Sequence, residues 1–291
     1  MRPILFEISA AWLPAPLQIH SYGMMLGMSF VLGVYLYLYL LQRHRLATRH
    51  VYVAISLAIL GALAGARILF ILANMKEDWN LARMVAPNGG GLVAYGGYIG
   101  GILCGAGYLL ARKENVLAHV DACTPTLVLG LSLTRIGCFL NGCCFGARTD
   151  GPSGVSFPAG SLAFSQHTHR GWPLLDQYHT VPIHPTQLYE CGFGLLLLVV
   201  VGLLLRSQRK ERLADLSAIE SGAPRERRKL ADGLVFITFV GAYALWRFLI
   251  EFLRDDANRG SLAALSTSQI ISMVLVAGCA VLFGRRRAGA W

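Results

Sequence analysis

Long apolar runs alternate with short polar segments along this chain. Seven of them, residues 21–42, 51–74, 92–112, 120–139, 186–206, 233–252 and 266–283, have the length a helix needs to cross a hydrocarbon core about 30 Å thick. Helices are required, because an apolar run in lipid must satisfy its own backbone N–H and C=O groups. The pattern predicts an all-α polytopic membrane protein with about seven transmembrane helices, organised as one integral-membrane domain over residues 1–291. The apolar run at the start is short and broken by Glu7, Pro14 and Pro16, so it reads as an interfacial segment rather than a leader peptide. Two longer polar segments interrupt the pattern. Residues 142–185 are rich in Gly, Pro, His and aromatics, which predicts a loop that folds over something or binds something. Residues 207–232 are charged and read as a flexible linker.

Charge changes the picture by adding a direction. Only 14% of residues are charged, against about 25% in soluble domains, while 55% are hydrophobic. The net charge of +10 is carried in the connecting segments, with no aromatic-interleaved basic face, so no nucleic-acid partner is expected. Sixteen of the 26 basic residues follow runs one, three, five and seven, and seven lie on the other side. The positive-inside rule then puts the N-terminus outside and the C-terminus in the cytoplasm, with 142–185 extracytoplasmic and 207–232 cytoplasmic.

The remaining three cations, Arg67, Arg135 and Arg247, fall within or at the ends of spans. An arginine at mid-membrane costs about 2.5–3.5 kcal/mol, so each calls for a reason. Snorkelling at a helix end, or pairing with Glu190 or Glu251, is one reason, and it stays open above all for Arg67. Arg135 stands near Asn141 at the outer end of its run, and Arg247 precedes Glu251 by four residues, on one helix face. Such a pair positions a guanidinium fork and leaves donors for an oxyanion, so two arginines converging near the outer leaflet would make a phosphate site. Gly23 and Gly27, Gly61 and Gly65, and Gly97 and Gly101 have the spacing that lets helices approach closely. The doublets of "YGGYIGG" (95–101) are denser than packing requires and would keep a helix surface open to lipid. Cys104, Cys123, Cys191 and Cys279 read as small core residues. Cys138, Cys143 and Cys144 are clustered, but there is no CxxC pair or matched histidine spacing, and zinc takes about four ligands. No metal or cofactor is expected, and a disulfide from Cys143 or Cys144 stays open on an oxidising face.

Several of these segments together are similar to one known family. "TRIGCFLNGCCFG" (134–146) resembles the signature of prolipoprotein diacylglyceryl transferases, which begins G-R-I-G-N-F-I-N-G. "IHSYGMMLG" (19–27), with Tyr22, resembles the family's first-span motif, and "GARILF" (65–70) and "GGLVAYGGYIGG" (90–101) resemble the second and third. "IHPTQLYE" (183–190) and "WRFLIEFLRDD" (246–256) fit the later spans, in the family's order along nearly the whole chain. The resemblance implies transfer of a diacylglyceryl group from phosphatidylglycerol to the lipobox cysteine thiol of a prolipoprotein, with glycerol phosphate leaving. It implies membrane lipids as surroundings and the bacterial cytoplasmic membrane as location. Catalytic roles would fall to Arg135, Arg247, Tyr22, Tyr95, Glu251 and His184. Donor binding would involve Arg135, Asn141, Gly146, Arg67, Gly96 and Gly97.

The chain departs from the family pattern at three places. Tyr95 stands where the family commonly has a histidine discussed as a base, Cys138 replaces an asparagine, and Cys143 replaces an acidic residue. A tyrosine with a reference pKa near 10 is a poor base at neutral pH. Three readings follow: His184 or Glu251 is the base; the acceptor thiol, of pKa about 8.5, ionises beside the arginines; or the chain is a paralogue with another donor or acceptor. A non-catalytic lipid-binding or transport protein would need a continuous polar path across the membrane, and neither such a path nor an inverted repeat is evident.

Overall fold

Each apolar run forms a helix in the computed structural model, which describes residues 3–9, 16–74, 91, 93–222, 230–254, 261, 262 and 265–287. The long helices are α1 (Ser21–Arg43), α2 (Val51–Asn74), α3 (Ala94–Ala111) and α4 (Val116–Asn141), then, after a short α5 (Leu162–His169), α6 (Thr186–Ser221), α7 (Leu234–Ile250) and α8 (Thr267–Arg287). Six of them are long and apolar enough to cross a membrane, and α3 adds 18 apolar residues. The chain is a multi-pass, all-α membrane protein. Arg2, Pro14, Lys76, Arg83, Gly90, Leu92, Arg225, Arg227, Arg228, Lys229, Asp255, Asp256 and Arg259 lie outside the described residues. The segment before α1 is an antiparallel pair, β1 (Ile4–Ile8) and β2 (Leu17–His20).

The chain forms two compact units, residues 38–120 and residues 1–37 with 121–291. In the first, α2 and α3 meet backbone to backbone. A Cβ added at Gly96 would strike the Gly65 carbonyl, and one at Gly100 would strike that of Gly61. Gly97 and Gly101 face the Ala62 and Ala58 carbonyls. The expectation that the "YGGYIGG" doublets keep a surface open to lipid is thus corrected: close helix approach uses them up. Tyr95, Tyr98 and Ile99 are the exposed side chains of that stretch.

In the second unit, α4 packs on α1 through Gly137, where a Cβ would press on Met25 and Tyr22, and on α6 through Gly194, where it would meet Ser132 Oγ. The segment 142–185 folds around its own small core of Phe145, Phe157, Ala163 and Ile183. It carries α5, N-capped by Ser161 Oγ, and the pair β3 (Leu174–Asp176) and β4 (His179–Thr180). The Thr180 hydroxyl accepts from the Phe157 N–H at 2.9 Å.

The linker expected from residue 207 is helical as far as Ser221, because α6 does not stop at Arg206. Its charged face has partners. Arg212 pairs with Asp232, Glu211 accepts from the Leu230 N–H, and Gln208 donates to the Ala231 carbonyl. Beside them Asp121 of α4 accepts from Gln208 Nε2 at 2.6 Å and from the N–H groups of Gly233 and Phe236 at 2.6 and 2.9 Å. A carboxylate on the free N–H groups at the start of α7 is the favourable end of that helix dipole. The last described strands are β5 (Ser261–Leu262) and β6 (Leu265–Ser266).

Candidate active site

Three arginines and two carboxylates meet where α4, α6 and α7 approach one another. Glu190, in the second turn of α6, is 1% exposed. Its Oε2 lies 2.7 Å from Arg135 Nη2 of α4, and its Oε1 accepts from Arg254 Nη1 at 3.0 Å. Arg247 Nη1 stands 3.9 Å from the same Oε1. Arg247 is in the last turn of α7, where the helix dipole favours a cation, and its Nη2 pairs with Glu251 Oε2 at 3.0 Å. That nitrogen also donates to Ser268 Oγ at 3.2 Å, and the Tyr243 hydroxyl bonds the Arg135 guanidinium.

The carboxylates lie behind and the guanidiniums in front: Arg135 and Arg247 keep 15% and 16% of their side-chain surface open, whereas Arg254 keeps 3%. Among the described residues, the buried Arg135 Nε and Arg247 Nη1 have no hydrogen-bond partner. A buried donor left unmade costs about 1–3 kcal/mol, and more when charged, so these forks are suited to an incoming oxyanion.

A thiol cluster adjoins the arginines. The sulfurs of Cys138, Cys143 and Cys144 lie within 4.8 Å of one another, and all three are unoxidised. Cys138 is in the last turn of α4; a left-handed turn at Gly142 (φ 74°) and another at Cys144 (φ 60°) fold the chain back onto it. Hydrogen bonds from Cys138 and Cys143, then the Arg254 and Arg135 guanidiniums, hold the Cys144 thiol well below the ordinary thiol range against the opposing effect of burial. The Tyr22 hydroxyl is within electrostatic reach of all three sulfurs and of Arg135.

Of the residues singled out in the sequence, the structure brings together Arg135, Arg247, Glu251 and Tyr22. Asn141 joins them through its side-chain bond to the Cys143 thiol. Gly146 has a packing role: a Cβ there would meet Leu253 O, His184 Cβ and Thr186 Cγ2. Among the described residues, no hydrogen bond or ion pair joins the His184 side chain to the arginines. Its Nδ1 is 3.3 Å from the Tyr189 hydroxyl, which donates to Ser153 Oγ at 2.8 Å. Arg67, Tyr95, Gly96 and Gly97 belong to the unit 38–120, where Arg67 Nη1 donates to the Gly91 carbonyl and its guanidinium lies over Phe70. Sequence reasoning named Glu190 only as a possible partner and counted Arg254 as a loop cation. The signal for Glu190 is a carboxylate in the first turns of an apolar helix, where a lone charge is not tolerated.

Fold and site define a polytopic membrane protein with an arginine cluster set among its helices. The family model for prolipoprotein diacylglyceryl transferase matches residues 8–285. The chain is 31% identical over 278 residues to the phosphatidylglycerol–prolipoprotein diacylglyceryl transferase of Clostridium tetani, covering 95% of this chain and 94% of that one. It is 31% identical over 299 residues to the second such enzyme of Clostridium perfringens, with 99% of both covered. To that of Geobacter sulfurreducens it is 32% identical over 287 residues, with 94% of both covered. The chain belongs to the prolipoprotein diacylglyceryl transferase family.

Proposed function

We propose that residues 1–291 act as one integral-membrane transferase that moves a diacylglyceryl group from phosphatidylglycerol to the lipobox cysteine of a prolipoprotein. This is the first step of bacterial lipoprotein maturation. The reading places the enzyme in the bacterial cytoplasmic membrane, N-terminus outside and C-terminus in the cytoplasm, with the bias of arginine and lysine as its support. The observation that carries it is the pair of forks, Arg135 and Arg247, each fixed on a buried carboxylate and each with a donor to spare.

In the reaction the acceptor's sulfur attacks the glyceryl carbon that bears the phosphate. The carbon–oxygen bond breaks, and glycerol phosphate leaves with the bonding pair. Arg135 and Arg247 hold the phosphodiester and take up the charge that grows on it, which is stabilisation aimed at the transition state. Glu190 and Glu251 keep the forks oriented, and Tyr22 is placed to bond the headgroup. The acceptor thiol must also lose its proton. Both carboxylates already carry arginines and His184 is engaged with Tyr189, so the positive field of the site has to favour the thiolate.

The test is purified protein in phosphatidylglycerol liposomes with a lipobox peptide, read by intact mass. The expected product is the peptide plus one diacylglyceryl group, absent when the peptide cysteine is serine. An unmodified peptide at every donor concentration, with folded protein, would favour the lipid-binding reading instead.

A further inference from the structure

We propose that Cys138, Cys143 and Cys144 bind a thiophilic divalent cation of the zinc class, whose fourth coordination position takes the acceptor's thiol as thiolate. This rests on the transferase reading above.

Geometry comes first. A zinc ion about 2.3 Å from each of three sulfurs sets them roughly 3.8–4.0 Å apart; the three lie within 4.8 Å of one another, so loading draws them in by about 1 Å at the widest pair. The cluster is built rather than incidental. Two side chains from the first turn of α6 clamp its backbone: Thr186 Oγ donates to the Cys144 carbonyl and Gln187 Nε2 to that of Cys143, each at 2.7 Å. Between them Cys144 is held at φ 60°, a conformation that disfavours a side chain by about 1–2 kcal/mol. Strain of this kind persists where the surroundings impose it.

Charge fits as well. Three thiolates and one divalent cation sum to one negative charge, and the Arg254 and Arg135 guanidiniums lie close enough to Cys144 to offset it. Among the described residues the cluster offers three ligands, not four. A closed structural zinc site has four protein ligands, whereas three leave a position for a reacting group. That position answers the need for a base, because a thiol on such a cation is deprotonated outright at neutral pH. On loading, the three cysteine protons go to solvent. The acceptor thiol loses its proton on coordination, its sulfur forms the new bond to carbon, and glycerol phosphate leaves with the electron pair of the broken bond.

The test uses the whole protein in detergent with a thiol-specific reductant, stripped with chelator, reloaded with zinc chloride or cobalt(II), and desalted. One zinc per chain is expected, falling at least tenfold in Cys138→Ser, Cys143→Ser and Cys144→Ser. In the wild type, zinc should protect three thiols from alkylation, a readout that does not depend on a variant folding. The cobalt form should show a thiolate charge-transfer band that grows with a lipobox peptide and not with its serine analogue. No retained metal with all thiols reduced, or two thiols lost to a disulfide on reloading, overturns the site. A cobalt band indifferent to the peptide overturns the role of the fourth position. Full transfer by the stripped protein sinks the metal's part and leaves the transferase standing. Metal and peptide binding with no transfer, stripped or loaded, sinks the transferase reading instead.

Discussion

Two buried carboxylates, Asp121 and Glu190, tie α4, α6 and α7 together, and they do so in opposite ways. Asp121 accepts from one side-chain amide of α6 and from two backbone N–H groups at the start of α7, all neutral donors. Among the described residues Glu190 is met only by guanidiniums, and two of those arginines remain partly open. Fourteen residues of α4 separate Asp121 from Arg135, about 21 Å of helix. One end of the bundle is closed on itself, while the other holds donors in reserve. A carboxylate answered by neutral donors closes a joint, and one surrounded by more cation than it can pair with keeps that cation ready for something else.

The largest effect is expected at the open end. Glu190→Gln removes the charge that holds Arg135, Arg247 and Arg254, and an uncompensated buried charge costs about 3–5 kcal/mol. Peptide modification in liposomes should fall by more than about a hundredfold, with a lower unfolding temperature. Arg247→Ala should lose nearly all transfer in a protein that still inserts. If Glu251→Gln is more damaging than Arg247→Ala, Glu251 does more than orient the arginine.

Arg135→Lys sharpens the comparison, because it keeps the charge and removes the fork. The loss of a charge-assisted hydrogen bond, about 1.5–3 kcal/mol, corresponds to roughly ten- to 150-fold in transfer at low donor concentration. Wild-type turnover there would dismiss the phosphate role. Asp121→Asn should behave in the reverse manner. It leaves one N–H opposed by an amide, lowering stability by about 1–3 kcal/mol in denaturant titrations, with turnover per folded molecule within about twofold. A folded, inactive Asp121→Asn would break the comparison. The smallest effect is expected for His184→Ala, which touches Tyr189 rather than the arginines: transfer within a few-fold, about 1 kcal/mol at most.

The spans were legible because hydropathy alone sets them, and every long helix lies within a few residues of its run except α6, which continues to Ser221. Arg135 and Arg247 were legible for the same reason, as charges standing out against lipid. Glu190 as a shared anchor was not, since 55 residues separate it from Arg135 and only tertiary packing joins them. Arg254 sits just past the end of an apolar run, where a cation reads as a loop residue until the chain folds back. The thiols escaped because their convergence depends on left-handed turns at Gly142 and Cys144, which no spacing rule encodes. The glycine doublets misled in the opposite sense: density alone does not say whether a bare backbone faces lipid or another backbone, and Gly65 and Gly61 supply the answer.

Helix α6 also works as a depth gauge. Its 36 residues span about 54 Å, far more than one hydrocarbon core of about 30 Å. Between Glu190 and Arg206 it carries no charge, and those sixteen steps measure about 24 Å. With α6 upright and Arg206 at one edge of the hydrocarbon, Glu190 comes to rest about 6 Å inside the other edge. The Arg135 guanidinium, 2.7 Å from that carboxylate, then lies at about the same depth. The acyl chains of a donor then need not leave the bilayer for its phosphate to meet that guanidinium.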